Sequence, residues 1–137
     1  MNIKYVEYPS LSENELFALY DDLNWKQYTS NMKQLVEGVN SSLYVVGAYY
    51  ASNLIGLIRV VGDGHTIVYV QDVLVKSKFQ HQGVGTTFFN MVQQKYSHVR
   101  QMVLMSDDVE RNAQFYRKQG FCNGSALNLV LYVKIND

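Results

Sequence analysis

The chain has 137 residues, 47% of them hydrophobic and 13% aromatic, which suffices for one compact domain with its own core and falls short of two. Twelve basic residues stand against twelve acidic ones, leaving no surplus charge that would favour nucleic acid or an anionic membrane, so any anion site must be local. The single cysteine, Cys122, excludes an internal disulfide and fits a reducing compartment, where it is expected to be a small buried filler. No apolar run reaches the ~18 residues of a membrane helix and the start of the chain lacks a signal-peptide pattern, so a cytoplasmic protein is expected.

No repeat, low-complexity tract or proline-rich linker divides the chain, and residues 1–137 are expected to form a single domain. The stretch "NIKYVEY" alternates in the manner of an opening strand that ends before Pro9. Ser12 and Glu15 have capping-box spacing, and Leu16, Leu19, Tyr20 and Leu23 follow at helical intervals; Met32, Leu35, Val36 and Val39 predict a second helix. Trp25 and Tyr28 lie on the link between the two helices, where they either pin the helices to the core or line a pocket.

From Leu43 to Val75 the pattern becomes that of a three-stranded antiparallel meander, "LYVVGAYY", "NLIGLIRVVG" and "TIVYVQDVLV", joined at "ASN" and "GDGH". A helix is predicted from about Val84 to Tyr96 with Phe88, Val92 and Tyr96 on one face, then "QMVLMS" as a fully buried strand. "DDVERNAQFYRKQG" predicts a helix capped by Asp107 and Glu110 and ended by Gly120, and "ALNLVLYVKI" predicts a last strand.

Between the third meander strand and the next helix lies "FQHQGVG". A strand, then glycines, then a helix leaves several backbone N–H groups pointing one way, and Gly83 and Gly85 let the main chain approach an anion without a Cβ between. A tight strand-to-helix corner with no ligand would read the same. Nucleoside-triphosphate and dinucleotide loops are excluded, since no lysine follows at the required spacing and Phe88 occupies the third glycine position. The pattern that remains is Q/R-x-x-G-x-G/A, filled by Gln80, Gly83 and Gly85.

Joined to "NAQFYRKQGF" about thirty residues downstream, and to the strand "YVQDVLV" before it, this loop resembles the GNAT superfamily of acetyl-CoA-dependent N-acetyltransferases. The likeness covers nearly the whole length in element order and is sharpest from Tyr69 to Phe121. It implies an α+β fold, a mixed and mostly antiparallel twisted sheet of about six or seven strands with a central βαβ unit and helices on both faces. It further implies that acetyl-CoA binds at Gln80, His81, Gln82, Gly83, Val84, Gly85 and Thr86, with the amides of about Gln82 to Thr86 around the pyrophosphate. The pantetheine arm would pair with main chain of Val73 and Val75, with an oxyanion donor from the backbone near Val73 or Leu74, and Asn112 and Tyr116 would approach the thiol end.

The implied chemistry is direct attack of an amine, on a small molecule or a protein, with Tyr116 as the acid for the departing thiolate or, alternatively, as a core or cofactor-stacking tyrosine. A base is missing from the pattern. Tyr69 and Gln71 hold the family's substrate-side positions, where a glutamate or histidine is frequent, so a water chain or an already neutral amine is implied. By strict alternation Tyr69, Gln71, Val73 and Val75 share one face and Val70, Asp72 and Leu74 the other; a bulge could swing Asp72 to the site, and otherwise it is expected to be satisfied by neighbouring backbone. Asp21, Asp22, Trp25 and Tyr28 resemble the family's acceptor-shaping region and suggest a cationic amine. No metal site is expected from His65, His81 or His98, and pairing through the last strand or a sheet edge would make a homodimer. An acyl-CoA-binding sensor without catalysis is the competing reading.

Overall fold

In the structure, a computed structural model that describes residues 2–136, the chain forms two units, Met1–Met105 and Ser106–Asp137. The first unit contains the helices α1 (Glu13–Asp22), α2 (Lys26–Thr29), α3 (Met32–Asn40) and α4 (Val84–Lys95). Its strands are β1 (Lys4–Glu7), β2 (Tyr44–Tyr50), β3 (Asn53–Gly62), β4 (Ile67–Val75) and β5 (Gln101–Leu104), hydrogen-bonded in that order. β1 to β4 pair antiparallel, and β5 joins β4 in parallel after the α4 crossover, giving the expected mixed sheet with a βαβ unit.

Local chemistry places the helices. Ser12 accepts from the Glu15 amide and Glu15 accepts from the Ser12 amide, both at 3.0 Å, so the capping box that opens α1 is closed. Beyond the α1 C-cap Leu23 the chain turns at Asn24, one of the few residue types that tolerate the left-handed φ of 62° found there. Asn31 caps α3 by accepting from the Gln34 amide. Leu16, Leu19, Tyr20, Leu35 and Val39 from α1 and α3 pack with Val45, Leu57 and Leu74 on one face of the sheet, and Trp25 and Tyr28 pack against the same cluster. The opposite face is taken by α4: Phe88 stands edge-on to Tyr5 at 5.7 Å, and a Cβ on Gly56 would lie 3.3 Å from the Phe88 ring. Helices on both faces explain why β2 and β3 read as nearly continuous apolar runs.

Register depends on two irregularities. Arg59 pairs with Asp72 and Val60 with Val70, so Gln71 is an extra residue on β4. Adjacent residues of β3 face opposite ways, so their partners Asp72 and Val70 do too. The alternation expected along β4 is therefore broken at Gln71: Asp72 and Leu74 join the α1–α3 face, while Val70 lies on the face covered by α4. A second shift, at Ala48 and Tyr49, makes the same exchange between Gly56 and Leu54.

Other sequence expectations also need correction. β5 is half-buried rather than fully buried, because it flanks the sheet and has a strand on one side only. The second unit holds α5 (Glu110–Lys118), preceded by extended Val109, which offers no side-chain cap; Asp107 and Glu110 form no capping box because the helix begins at Glu110 itself, whose carboxylate meets Arg117 at 3.0 Å. Cys122 is exposed, since it follows the helix terminator rather than entering a packed strand. The segment expected as a last strand pairs with nothing among the described residues: after a short 3-10 turn at Gly124–Leu127 the chain is irregular, with Val130 74% and Tyr132 91% exposed. Among the described residues the sheet therefore has five strands instead of six or seven, because local alternation cannot supply the neighbour that a strand requires.

Candidate active site

β5 accompanies β4 only from Ile67↔Gln101 to Val70↔Leu104. β4 continues to Val75, so from the bulge onward its β5 side has no strand partner among the described residues. Val73, Leu74 and Val75 lie on this open stretch. At its end a 3-10 turn, Ser77–Phe79, leads to the glycine loop. Asp22 holds that turn, its carboxylate accepting from the Ser77 amide at 2.9 Å and the Ser77 hydroxyl at 3.2 Å. Gln80 turns its side-chain amide back to donate to the Val75 carbonyl at 2.9 Å. The Gln of the Q-x-x-G-x-G pattern thus braces the loop against β4.

His81 follows with a left-handed φ of 64°, and Gly83 caps α4 at a φ of 85°. A side chain there would be strained, and a Cβ on Gly83 would meet no atom within 4 Å. No side chain caps this helix, while buried Val84 anchors its first turn and Thr87 donates to the Gly83 carbonyl at 3.0 Å. Gln82 and Thr86 are exposed, and Gly85 has ordinary helical backbone. An open helix N-terminus beside an open strand edge suits a ligand with an anionic group on an extended, amide-bearing arm.

On the α1–α3 face the bulge presents a polar network that sequence reading divided among separate roles. Asp72, 2% exposed, accepts through Oδ2 from Tyr20 and from Arg59 Nε, both at 2.8 Å, and through Oδ1 from Tyr28 at 3.1 Å. Tyr28 in turn accepts from Gln71 Nε2 at 2.9 Å. Asp72 is thus satisfied by side chains rather than by neighbouring backbone, and the bulge commits it to the core instead of freeing it as a base. Burial, and then the charge of Asp72, raise the phenol pKa of both Tyr20 and Tyr28. Burial alone would lower the Arg59 pKa, but the adjacent carboxylate outweighs it and the guanidinium is held more firmly protonated. Trp25 stacks on Tyr28 with centroids 6.0 Å apart, and Tyr20 meets both edge-on, so these aromatics pin the link to the core. Tyr69 is half-buried and stays outside the network; Asp21 is exposed.

Arg59 and Tyr20 were missed in the sequence. A signal existed, since a lone arginine in "LIGLIRVVG" and a lone aspartate in "IVYVQDVLV" are charges that adjacent buried strands can accommodate only as a pair.

In the second unit α5 ends in a Schellman motif: Phe121 N–H donates to the Tyr116 carbonyl and Gly120 N–H to the Arg117 carbonyl, with Gly120 at a φ of 93°. The motif brings the Phe121 ring onto Tyr116, edge-on at 6.1 Å, which accounts physically for the F-Y-x-x-x-G-F pattern. Burial raises the Tyr116 phenol pKa. Asn112, one turn before it, donates to the Ser106 hydroxyl at 3.1 Å. Among the described residues no three His, Cys, Asp or Glu side chains gather as metal ligands would, and no helix is long and apolar enough to cross a membrane.

The family profile described as acetyltransferase (GNAT) domain matches residues 8–127, which include the open strand, the glycine loop and α5. The chain belongs to the GNAT acetyltransferases. A GNAT-family acetyltransferase from Streptococcus pneumoniae superposes with a TM-score of 0.88 at 27% identity over 98% of each chain. A protein from meticillin-resistant Staphylococcus aureus does so at 0.79 and 23%, covering 98% of this chain and 100% of that one. AAC(6')-Iy in complex with the bisubstrate analogue CoA-S-monomethyl-acetylneamine shares the fold at 0.75 and 15%, covering 99% and 100%. A search of curated protein sequences finds no significant match. As a GNAT acetyltransferase the chain has the expected α+β fold with the mixed sheet and central βαβ unit, with one or two strands fewer than expected among the described residues.

Proposed function

We propose that this GNAT acetyltransferase transfers acetyl from acetyl-CoA to a primary amine by direct attack on the thioester, with residues 1–137 acting as one catalytic domain in the cytoplasm. The observation that carries the reading is the open β4 edge leading into an uncapped α4 N-terminus at Gly83. Acetyl-CoA supplies the activated acyl group. Amides from Gln82 to Thr86 hold its pyrophosphate, with His81 and Gly83 setting the turn and Val84 anchoring it, and main chain of Val73 and Val75 pairs with the pantetheine arm. A backbone N–H near Val73 or Leu74 serves the developing oxyanion. On the family resemblance, Asn112 and Tyr116 act at the thiol end and Tyr116 donates to the departing thiolate; its raised pKa keeps the proton on the phenol at neutral pH. Asp72 is fully engaged and Gln71 and Tyr69 are not bases, so the amine loses its proton to water or arrives neutral.

On the family resemblance Asp21, Trp25 and Tyr28 belong to the acceptor-shaping region, where the two aromatics, besides packing on the core, favour a cationic small-molecule amine, a choice also supported by the aminoglycoside acetyltransferases among the structural neighbours. The apolar side chains exposed between Leu129 and Ile135 favour a homodimer, to be checked by light scattering. Titration calorimetry with acetyl-CoA, followed by thiol release with a panel of amines, tests the main reading. Micromolar binding with amine-dependent release that Tyr116→Phe slows, at unchanged acetyl-CoA affinity, is the expected result. Binding without release by any amine would favour a non-catalytic acyl-CoA sensor, a reading that the engagement of Asp72 supports; no binding would refute both.

A further inference from the structure

The network around Asp72 has a directionality that follows from counting protons. A phenol has one proton, a carboxylate only accepts, and a carboxamide has a donor end and an acceptor end. Three donors converge on Asp72, and one of them is Tyr28. With its proton spent on Oδ1, Tyr28 can only accept from Gln71, which must then turn Nε2 inward. The reversed amide would set Oε1 against the phenol oxygen with no proton between them. Gln71 is itself exposed, sits on the bulge just where β5 leaves β4, and its Oε1 has no partner among the described residues.

We infer that Asp72 is a positioning residue that sets the polarity of the acceptor site: by taking the only proton of Tyr28 it forces Gln71 to present its carbonyl oxygen, which receives an N–H of the incoming amine. The inference rests on the transferase reading and on the substrate-side position that the family resemblance gives Gln71, and adds a reason for the orientation of that side chain. Because the carbonyl oxygen accepts only, an acceptor whose attacking nitrogen has an N–H to donate is received, and one that places a carboxylate or phosphate at that point is rejected. Arg59 and Tyr20 support this from behind, Arg59 by balancing the Asp72 charge and Tyr20 by filling Oδ2.

The test uses the full chain, acetyl-CoA and the primary amine that the wild type turns over best. Gln71→Leu is expected to raise the KM for that amine on the order of tenfold, the loss of one hydrogen bond to a charged or strongly polar donor, at unchanged KM for acetyl-CoA. Tyr28→Phe retains the ring that packs on Trp25 and Tyr20 and is expected to raise the amine KM in the same direction, since Gln71 is then free to rotate. Asp72→Asn also belongs in the series, but it strands the Arg59 charge and is read only if it folds. A second readout is the Gln71 side-chain amide signal in nuclear magnetic resonance, assigned by its loss in Gln71→Leu. It is expected to be shifted and slow to exchange in the wild type, and averaged in Tyr28→Phe. An unchanged amine KM in Gln71→Leu, or an unchanged amide signal in Tyr28→Phe, overturns the inference. If the wild type transfers to no amine, the transferase reading fails and the acceptor role falls with it, while the amide signal still reports separately whether the orientation is locked.

Discussion

Replacing Gly83 by alanine separates the strain of the loop from its use. The residue has a φ of 85°, and a Cβ built on it would touch nothing within 4 Å, so the substitution introduces backbone strain and no clash. Left-handed backbone costs an L-residue about 1–2 kcal/mol. For a chain of this size that corresponds to a fall in Tm of roughly 3–8 °C. Gly120 provides the control: its φ is 93° and its Cβ would also meet nothing, so Gly120→Ala should lower Tm by a similar amount. The two variants should part company in acetyl-CoA titration. If the proposed cradle holds the pyrophosphate against these amides, a methyl group on Gly83 adds bulk beside the anion, and a loss of at least about tenfold in affinity, ~1.4 kcal/mol, is expected. Scanning calorimetry gives the first quantity and isothermal titration the second. If Gly83→Ala loses stability as Gly120→Ala does but binds acetyl-CoA within twofold of wild type, the loop is a structural corner and the cradle reasoning is wrong.

Arg59→Met leaves Asp72 as a buried charge without its counter-ion, and urea unfolding should show a loss of about 3–5 kcal/mol. Arg59→Met combined with Asp72→Leu should lose less than the sum of the single variants; strict additivity would contradict the pairing. The two-residue hairpin loop between β2 and β3 places Ala51 at φ 50° and Ser52 at φ 68°, both unfavourable, so Ser52→Gly should stabilise the protein by about 1 kcal/mol in thermal unfolding. The Asp63 carboxylate accepts from the Thr66 hydroxyl and from the amides of His65, Thr66 and Ile67, and these bonds hold its pKa well below the usual value. A depressed carboxylate pKa stabilises the fold above the unfolded value near ~3.9 and stops doing so as pH falls towards the folded value. The stability gap between wild type and Asp63→Asn should therefore be widest at neutral pH and shrink below about pH 4; a gap that is flat with pH would count against the assignment.

Much of the first unit was legible because its signals are local. The capping box at Ser12 and Glu15, the helical spacing of Leu16, Leu19 and Tyr20, and the turn at Gly83 each involve residues within a few positions of one another. The Schellman ending at Gly120 is equally local, and it accounts for part of the family pattern in backbone terms. The end of the chain misled for the opposite reason: "LNLVLYVKI" has the composition of a strand, yet strand formation needs a partner backbone, and no alternation within the segment can specify one.

The helices of the first unit, the meander, the glycine-capped turn and the GNAT pattern can all be read from the amino-acid order alone, because propensity, capping and chain reversal are properties of neighbouring residues. The face and the partners of Asp72 emerge only once the elements are packed together. One inserted residue, Gln71, reverses the face on which Asp72 lies, and the outcome depends on Arg59 across the hairpin and on Tyr20 and Tyr28 some fifty residues earlier in the chain. A buried charge is stable only where its partners converge, and that convergence is set by packing between elements, which no local pattern records.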